Sequence, residues 1–564
     1  MNRLLFALPA AILLAATVPA QAAPRPDDKP TGPAIVGQAK SFNDLLDMTK
    51  AMVKTIGGDA LYKEFEKNAL QDLDPKKMPG VDPKRPFGLY GIVNGKFEDC
   101  RGVLLLPVPS EKEFIDMLAE YRIDVAKSDK EPGVFNVATP EGFPIHVSFR
   151  VHKGYAYVAF GGSDVISLKT ILDPKDVINE KEKASIFLSL RFDRITSETK
   201  KSLLAIIRDQ LEQLKEKIPE QELKEAKEAF HAAEKLAMRY LKMLFEEGKE
   251  LAIRVDADVK SGELFADITV EGMPKSPLAE TFAKRKPNMN AFASLAGDDF
   301  AQRVFISAPF FADEAREAYV KLIEWGNKEM IRAMGRGNPP PEAIGLVDAI
   351  FKSFKATVES GEMDLAAAIR GPNKEGFYTA IGALHCKEGI QLEKAIREVI
   401  KILPEREKAF FKFDAGKIGD VAIHEIDMTS EAEDIAKKIF GKGQTVYFGF
   451  GKNALYAAYG PDGMKLMKEA INAKPGPAAV LDTASNPKKA KDLIAKIIPP
   501  GDPNGPDLSL GWLETATSGF KITIDGGDKL RIRASYNMGT LMFFFLGRSA
   551  GAQFQQFQQV QPAK

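Results

Sequence analysis

A fifteen-residue segment that occurs twice constrains this chain more than any other feature. Residues 147–161 read VSFRVHKGYAYVAFG and residues 446–460 read VYFGFGKNALYAAYG. The two align without a gap at an offset of 299, with 6 of 15 positions identical. Each copy is an apolar strand, a Lys-Gly or Lys-Asn turn and a second apolar strand. A glycine and a polar residue, Ser163 or Asp462, then open a helix. This pattern predicts a β-hairpin that feeds a helix, built twice.

The faces of the hairpin set its register. With Lys153-Gly154 as a two-residue loop, Val151 faces Ala156, Phe149 faces Val158 and Val147 faces Phe160. All six then share one apolar side, because side chains alternate along a strand. The same rule with Lys452-Asn453 as the loop puts Phe448 opposite Ala457. A three-residue loop would pair Val151 with Tyr155 and mix polar with apolar residues on one side. Phe149 and Phe448 are therefore expected beneath a helix. Gly154 and Asn453 are expected to supply positive φ.

Around the hairpins the order of elements recurs. Strands at 87–93 and 103–108 precede a helix opened by Ser110, a strand and the first hairpin; a helix at 164–172 follows. In the second half, strands near 365–369 and 377–384, a helix at 392–402 and a strand at 421–426 precede the second hairpin. Residues 196–247 interrupt the first half with a charged helical pair broken at Ile218-Pro219. Its leucine stripes read as faces that find a core. Lys284-Arg285-Lys286-Pro287 reads as a hinge.

The expected fold is α+β: two related halves, each a mostly antiparallel sheet with packed helices, the first carrying the long helical pair. At 564 residues, more than one core is required. The expected division is a signal peptide at 1–22, a flexible leader at 23–40 and a first half at 41–286. A second half at 288–550 and a glutamine-rich, disordered tail at 551–564 complete it.

The signal peptide rests on Asn2-Arg3, an apolar run from Leu4 to Val18 and the small residues Ala20 and Ala22. The run is shorter than the ~20 apolar residues of a membrane span. No later stretch is long enough to span a bilayer, so the mature chain is expected without a transmembrane segment, periplasmic or extracellular. Cys100 and Cys386 occupy non-matching points of the repeat and are expected unpaired.

No motif assigns chemistry. The 78 basic residues equal the 78 acidic ones, so the basic excess of a nucleic-acid binder is missing. His146 and His152 are too far apart along a strand for one ion, and His385-Cys386 point to opposite faces. His231 stands on a charged helix, and His424-Glu425 lacks the second histidine of a zinc protease motif. Gly161-Gly162-Ser163 is not a nucleophile elbow. Gly441-Lys442-Gly443 and Gly371-Pro372-Asn373 lack the rest of a phosphate loop. Tyr157 and Tyr456 match across the repeat and read as sheet packing, or as an aromatic contact to a ligand. No catalytic residue, metal ligand or cofactor is expected; ligand-binding residues and partners stay unassigned.

The run VDPKRPFGLYGIVNGKFEDCRGVLLLPVPSEKEFIDML, with FRVHKGYAYVAFG and GKELAIRVDADVKSGELFADITVEGMPKSPLAETF, resembles a group of uncharacterised exported bacterial proteins. They have a signal peptide and two repeated α+β halves. The resemblance covers most of the first half and, more weakly, the second, and it implies a layout and no activity. The expected function is a non-catalytic exported protein that binds a protein or small-molecule ligand, or is structural at the cell envelope. The alternatives are a hydrolase with a site between the halves and a carrier of an amphipathic ligand.

Overall fold

The structure is a computed structural model. It describes residues 32–67, 79–93, 100–138, 145–216, 224–258, 263–285, 287–297, 299–309, 313–335, 339–429, 434–497 and 520–537. The signal peptide, the start of the leader, the break at Pro219 and the glutamine-rich tail lie outside them. By contact the chain divides into two compact units. The N-terminal unit takes residues 20–209, 241–283 and 527–564; the second takes 1–19, 210–240 and 284–526.

In chain order the first elements are β1 (Ile35–Ala39), α1 (Phe42–Phe65), β2 (Phe87–Ile92), β3 (Arg101–Pro107), α2 (Glu111–Glu120), β4 (Val125–Lys127), β5 (Phe135–Val137), β6 (Val147–His152) and β7 (Tyr155–Phe160). There follow α3 (Pro174–Val177), β8 (Ile186–Arg191), α4 (Ser197–Glu216), α5 (Lys224–Glu247), β9 (Gly248–Asp258), β10 (Glu263–Gly272) and α6 (Pro277–Lys284). Next come β11 (Met289–Asn290), β12 (Gln302–Pro309), α7 (Asp313–Gly335), α8 (Pro341–Glu359), β13 (Glu362–Arg370), β14 (Thr379–His385), α9 (Gly389–Ile402), α10 (Glu405–Lys408), β15 (Phe411–Ile418) and β16 (Val421–Asp427). The last are α11 (Asp434–Phe440), β17 (Thr445–Gly451), β18 (Ala454–Tyr459), α12 (Gly463–Ile471), β19 (Gly476–Pro477), β20 (Leu481–Ser485), α13 (Pro487–Ile497), β21 (Phe520–Asp525) and β22 (Leu530–Asn537).

The fold is a mixture of helices and antiparallel sheet, as the alternating patterns require. In the N-terminal unit the strand order is β22-β10-β9-β8-β1-β2-β3-β7-β6-β5-β4, every pair antiparallel. In the second it is β21-β20-β12-β13-β14-β18-β17-β16-β15, again antiparallel throughout. Counted along the chain, β1 to β9 hold the same places in one sheet as the nine strands from β12 to β21, β19 apart, hold in the other. β22 comes late in the sequence, yet it pairs with β10 and belongs by contact to the N-terminal unit.

Both hairpins have the register that their faces demand. Phe149 lies opposite Val158, and Phe448 opposite Ala457. Phe149 packs edge-on against Phe114 of α2 at 5.1 Å and stacks on Phe135 at 5.0 Å. Phe448 is covered by Leu392 and Ile396 of α9 and Ile350 of α8, while Ala457 beside it is exposed. Lys153 (φ 46°) and Gly154 (φ 75°) form the type I′ turn that matches strand twist. Neither Lys452 nor Asn453 has positive φ, so the second turn does without it.

Two expectations are corrected. The leader at 23–40 is not flexible throughout, because residues 35–39 form β1, held between β2 and β8. IVGQA carries too little local pattern to stand out from the proline-rich stretch before it; its partners lie far along the chain. The helix expected at 164–172 is a single 3-10 turn, Ser163–Ile166. The Thr170 hydroxyl donates to the Asp164 carbonyl at 2.5 Å and occupies the acceptor that a continuing helix would use. Its counterpart, α12, forms fully.

Each sheet is covered on both faces near its hairpin. In the N-terminal unit, Tyr90, Val103, Leu105, Tyr157 and Ala159 pack under residues 165–178, and Phe149 and Ala156 on the opposite face pack under α2. In the second unit, Ile381, Tyr456 and Ala458 pack against Leu466, Met467 and Ala470 of α12. Among the described residues no helix is long and apolar enough to cross a membrane.

Candidate functional site

Among the described residues one cluster of charged and titratable side chains stands out, on α9, β15 and β16, built around a buried histidine. Glu393 and Arg397 are four apart on α9, so they share a helix face, and they pair at 2.8 Å. Among the described residues β15 is an edge strand, and it has a bulge: its register on β16 jumps between Lys412 and Gly416. Asp414 sits in that bulge at φ 55°. Its carboxylate accepts both terminal nitrogens of Arg397, at 2.8 and 3.2 Å. The guanidinium lies 4.4 Å over the Phe413 ring.

His424 of β16 is fully buried. Its ring lies 5.1 Å from Phe413, 5.0 Å from Phe448 and 6.3 Å from Phe450. Nδ1 accepts the Asp414 backbone N–H at 3.0 Å. The neutral ring therefore carries its proton on Nε2, which faces Glu393 Oε1 at 3.3 Å; this tautomer is assigned from the hydrogen-bond network. Burial lowers the His424 pKa; Glu393 opposes that shift and Arg397 adds to it. The hydrogen bonds from Arg397 hold Asp414 below the usual carboxylate range.

Glu393, Asp414 and His424 have ligand atoms within 4.8 Å of one another, the spacing of a metal site. Their chemistry does not suit one. Arg397 already pairs with both carboxylates and offsets one of their two charges. The Nδ1 lone pair is taken, and Nε2–H has none to give. The cation of this site is Arg397. The arrangement ties a helix to a bulged edge strand, and the aromatic rings around His424 leave it no open face toward a substrate.

The hairpin register equates His424 with Phe135, since each lies opposite the matched phenylalanine. A polar ring thus stands where the other unit has an apolar one. The sequence set His424 aside for its neighbour Glu425, but its partners are Glu393 and Asp414. The i, i+4 spacing of Glu393 and Arg397 was the one visible signal.

The other candidates are not brought together. His146 is exposed, His152 ends β6, His231 is exposed on α5 beside Glu234, and His385 ends β14. Gly161 and Gly162 lead into the 3-10 turn. Tyr157 is buried and its hydroxyl donates to the Leu172 carbonyl at 2.8 Å. Tyr456 is buried edge-on to Phe292 at 6.1 Å. Both tyrosines are packing residues. Cys100 and Cys386 are not joined by a disulfide, and burial raises the pKa of Cys386.

Among the described residues the N-terminal sheet also presents a partly exposed apolar face, the continuation of the one that α2 covers, with Leu190 at its edge packed against Phe192 and Phe245. One row across it reads Leu188, Gly37, Leu89, Leu104, Val158; the next reads Leu190, Ile35, Gly91, Gly102, Phe160. Leu89, Phe160, Ile186 and Leu188 are between 36% and 41% exposed. A Cβ at Gly102 would meet nothing within 4 Å, so the row dips there between Phe160 and Ile35.

No family model matches this chain, and no curated protein matches it. It is similar to a solved structure titled "Structure of crystal form I of TP0453", at 10% identity over 44% of this chain and 80% of that one, with a TM-score of 0.21. A score that low assigns neither fold nor function.

Proposed function

We propose that this chain is a non-catalytic exported protein of two duplicated α+β halves, and that it binds an apolar ligand or partner segment at the cell envelope. The exposed apolar side chains Leu89, Phe160, Ile186 and Leu188 on one face of the N-terminal sheet carry the reading. Large exposed apolar side chains gathered on one sheet face are uncommon without a binding role, because solvation opposes them. The matching strand orders support the duplication. The full burial of His424 among aromatic rings argues against a hydrolase that uses it, since a catalytic group must reach its substrate.

The surface is tested with an environment-sensitive apolar dye and the double variant Leu89→Asp/Leu188→Asp. Dye binding should fall several-fold while the thermal transition stays in place. Equal binding by the variant would remove this face as the site. Export is tested by intact mass: the exported protein should begin at Ala23, and a mass retaining residues 1–22 would refute export by this signal.

A further inference from the structure

We infer that His424 is a pH latch on the edge strand β15, closed while the imidazole is neutral and released when it takes up a proton. The latch is the hydrogen bond from the Asp414 N–H to Nδ1. Protonation from solvent puts a hydrogen on Nδ1, and two donors then face each other. The Asp414 amide loses its acceptor, in a bulge whose positive φ a non-glycine residue holds only under constraint. Among the described residues β15 pairs with β16 alone, so apart from Arg397 and the packed Phe413 ring this bond is what ties the bulge down.

The groups around the ring decide the direction. α9 presents Glu393 and Arg397, β15 presents Asp414, and β17 presents only Phe448 and Phe450. Glu393 and Asp414 favour the imidazolium. Arg397 and burial oppose it, and Arg397 also occupies both carboxylates. The folded site thus disfavours the charged ring, consistent with the lowered pKa. A histidine of this kind binds its proton more readily in the opened state. The latch therefore holds above the ordinary histidine value, ~6.5, and weakens as pH falls below it. The second unit alone has it, since Phe135 fills the matching place in the other.

The test is amide protection by hydrogen exchange on the full mature chain, corrected for intrinsic exchange, from about pH 7.5 to about pH 5.5, either side of that value. Protection of residues 411–418 should fall toward low pH, by at most about tenfold per pH unit, the slope that one proton allows. His424→Phe, which copies Phe135, should lower protection at every pH and abolish the slope. A flat wild-type profile, or the same slope in the variant, would overturn the inference. Should the variant not fold, nitrogen NMR of the wild-type histidine rings decides at neutral pH. Nδ1 bare and Nε2 protonated is expected; a proton on Nδ1 overturns it.

Discussion

Phe149→Ala is expected to lower the stability of the N-terminal unit by about 3–5 kcal/mol, the range for deleting a buried aromatic ring. Phe149 is 1% exposed, and its ring meets Phe114 edge-on and Phe135 face-on. Each aromatic pair adds roughly 0.5–1.5 kcal/mol beyond the buried area. The ring also fastens α2 to the sheet, so the neighbours cannot close the gap without moving a helix. Phe448→Ala should act in the same direction on the second unit, but less strongly. Phe448 is 8% exposed, and its neighbour His424 is polar. Urea unfolding followed by near-ultraviolet circular dichroism and by exchange of β5–β7 reads the loss. An unchanged midpoint for Phe149→Ala would mean that α2 does not cover this hairpin.

Gly389→Ala is expected to be the most damaging small substitution in the second unit. A Cβ at Gly389 would stand 2.3 Å from the Gly451 carbonyl oxygen and 3.4 Å from that of Ala454. Both acceptors belong to the backbone of the β17–β18 hairpin, so no side chain can rotate away. The start of α9 must shift, and with it Leu392 over Phe448 and the pair Glu393–Arg397. Overpacking of this kind costs roughly 1–3 kcal/mol, and more where backbone is the obstacle. The expected readings are a lower unfolding midpoint and displaced ring signals for His424. Gly443→Ala, where an added Cβ meets nothing within 4 Å, should leave both unchanged. Equal midpoints for the two variants would show that α9 does not press on the hairpin.

The two hairpin registers were legible because side-chain alternation has a period of two, and a slip by one residue would have put Arg150 beside Ala156. Two copies of the segment gave the same answer independently. The glycine of the first turn was legible for its φ, whereas Asn453 promised the same and did not need it. β1 was not legible. Five residues, IVGQA, gain their strand conformation from hydrogen bonds to β2 and β8, and no local pattern encodes partners that far along the chain.

The charged cluster divides the same way. The sequence by itself determined that Glu393 and Arg397 share a helix face, since their spacing is one helical turn. It also determined that the matched phenylalanines point inward. Only the tertiary structure decided that Asp414 and His424 join them. That meeting depends on a bulge that turns the Asp414 amide toward the ring, and on α9 lying across β15 and β17. It likewise decided that β22 joins β10, and which apolar side chains of the N-terminal sheet are exposed among the described residues. Such choices are made by surfaces that become complementary only once whole elements have formed. Hydrophobic burial is non-directional, and it specifies that a face be covered without naming the segment that covers it.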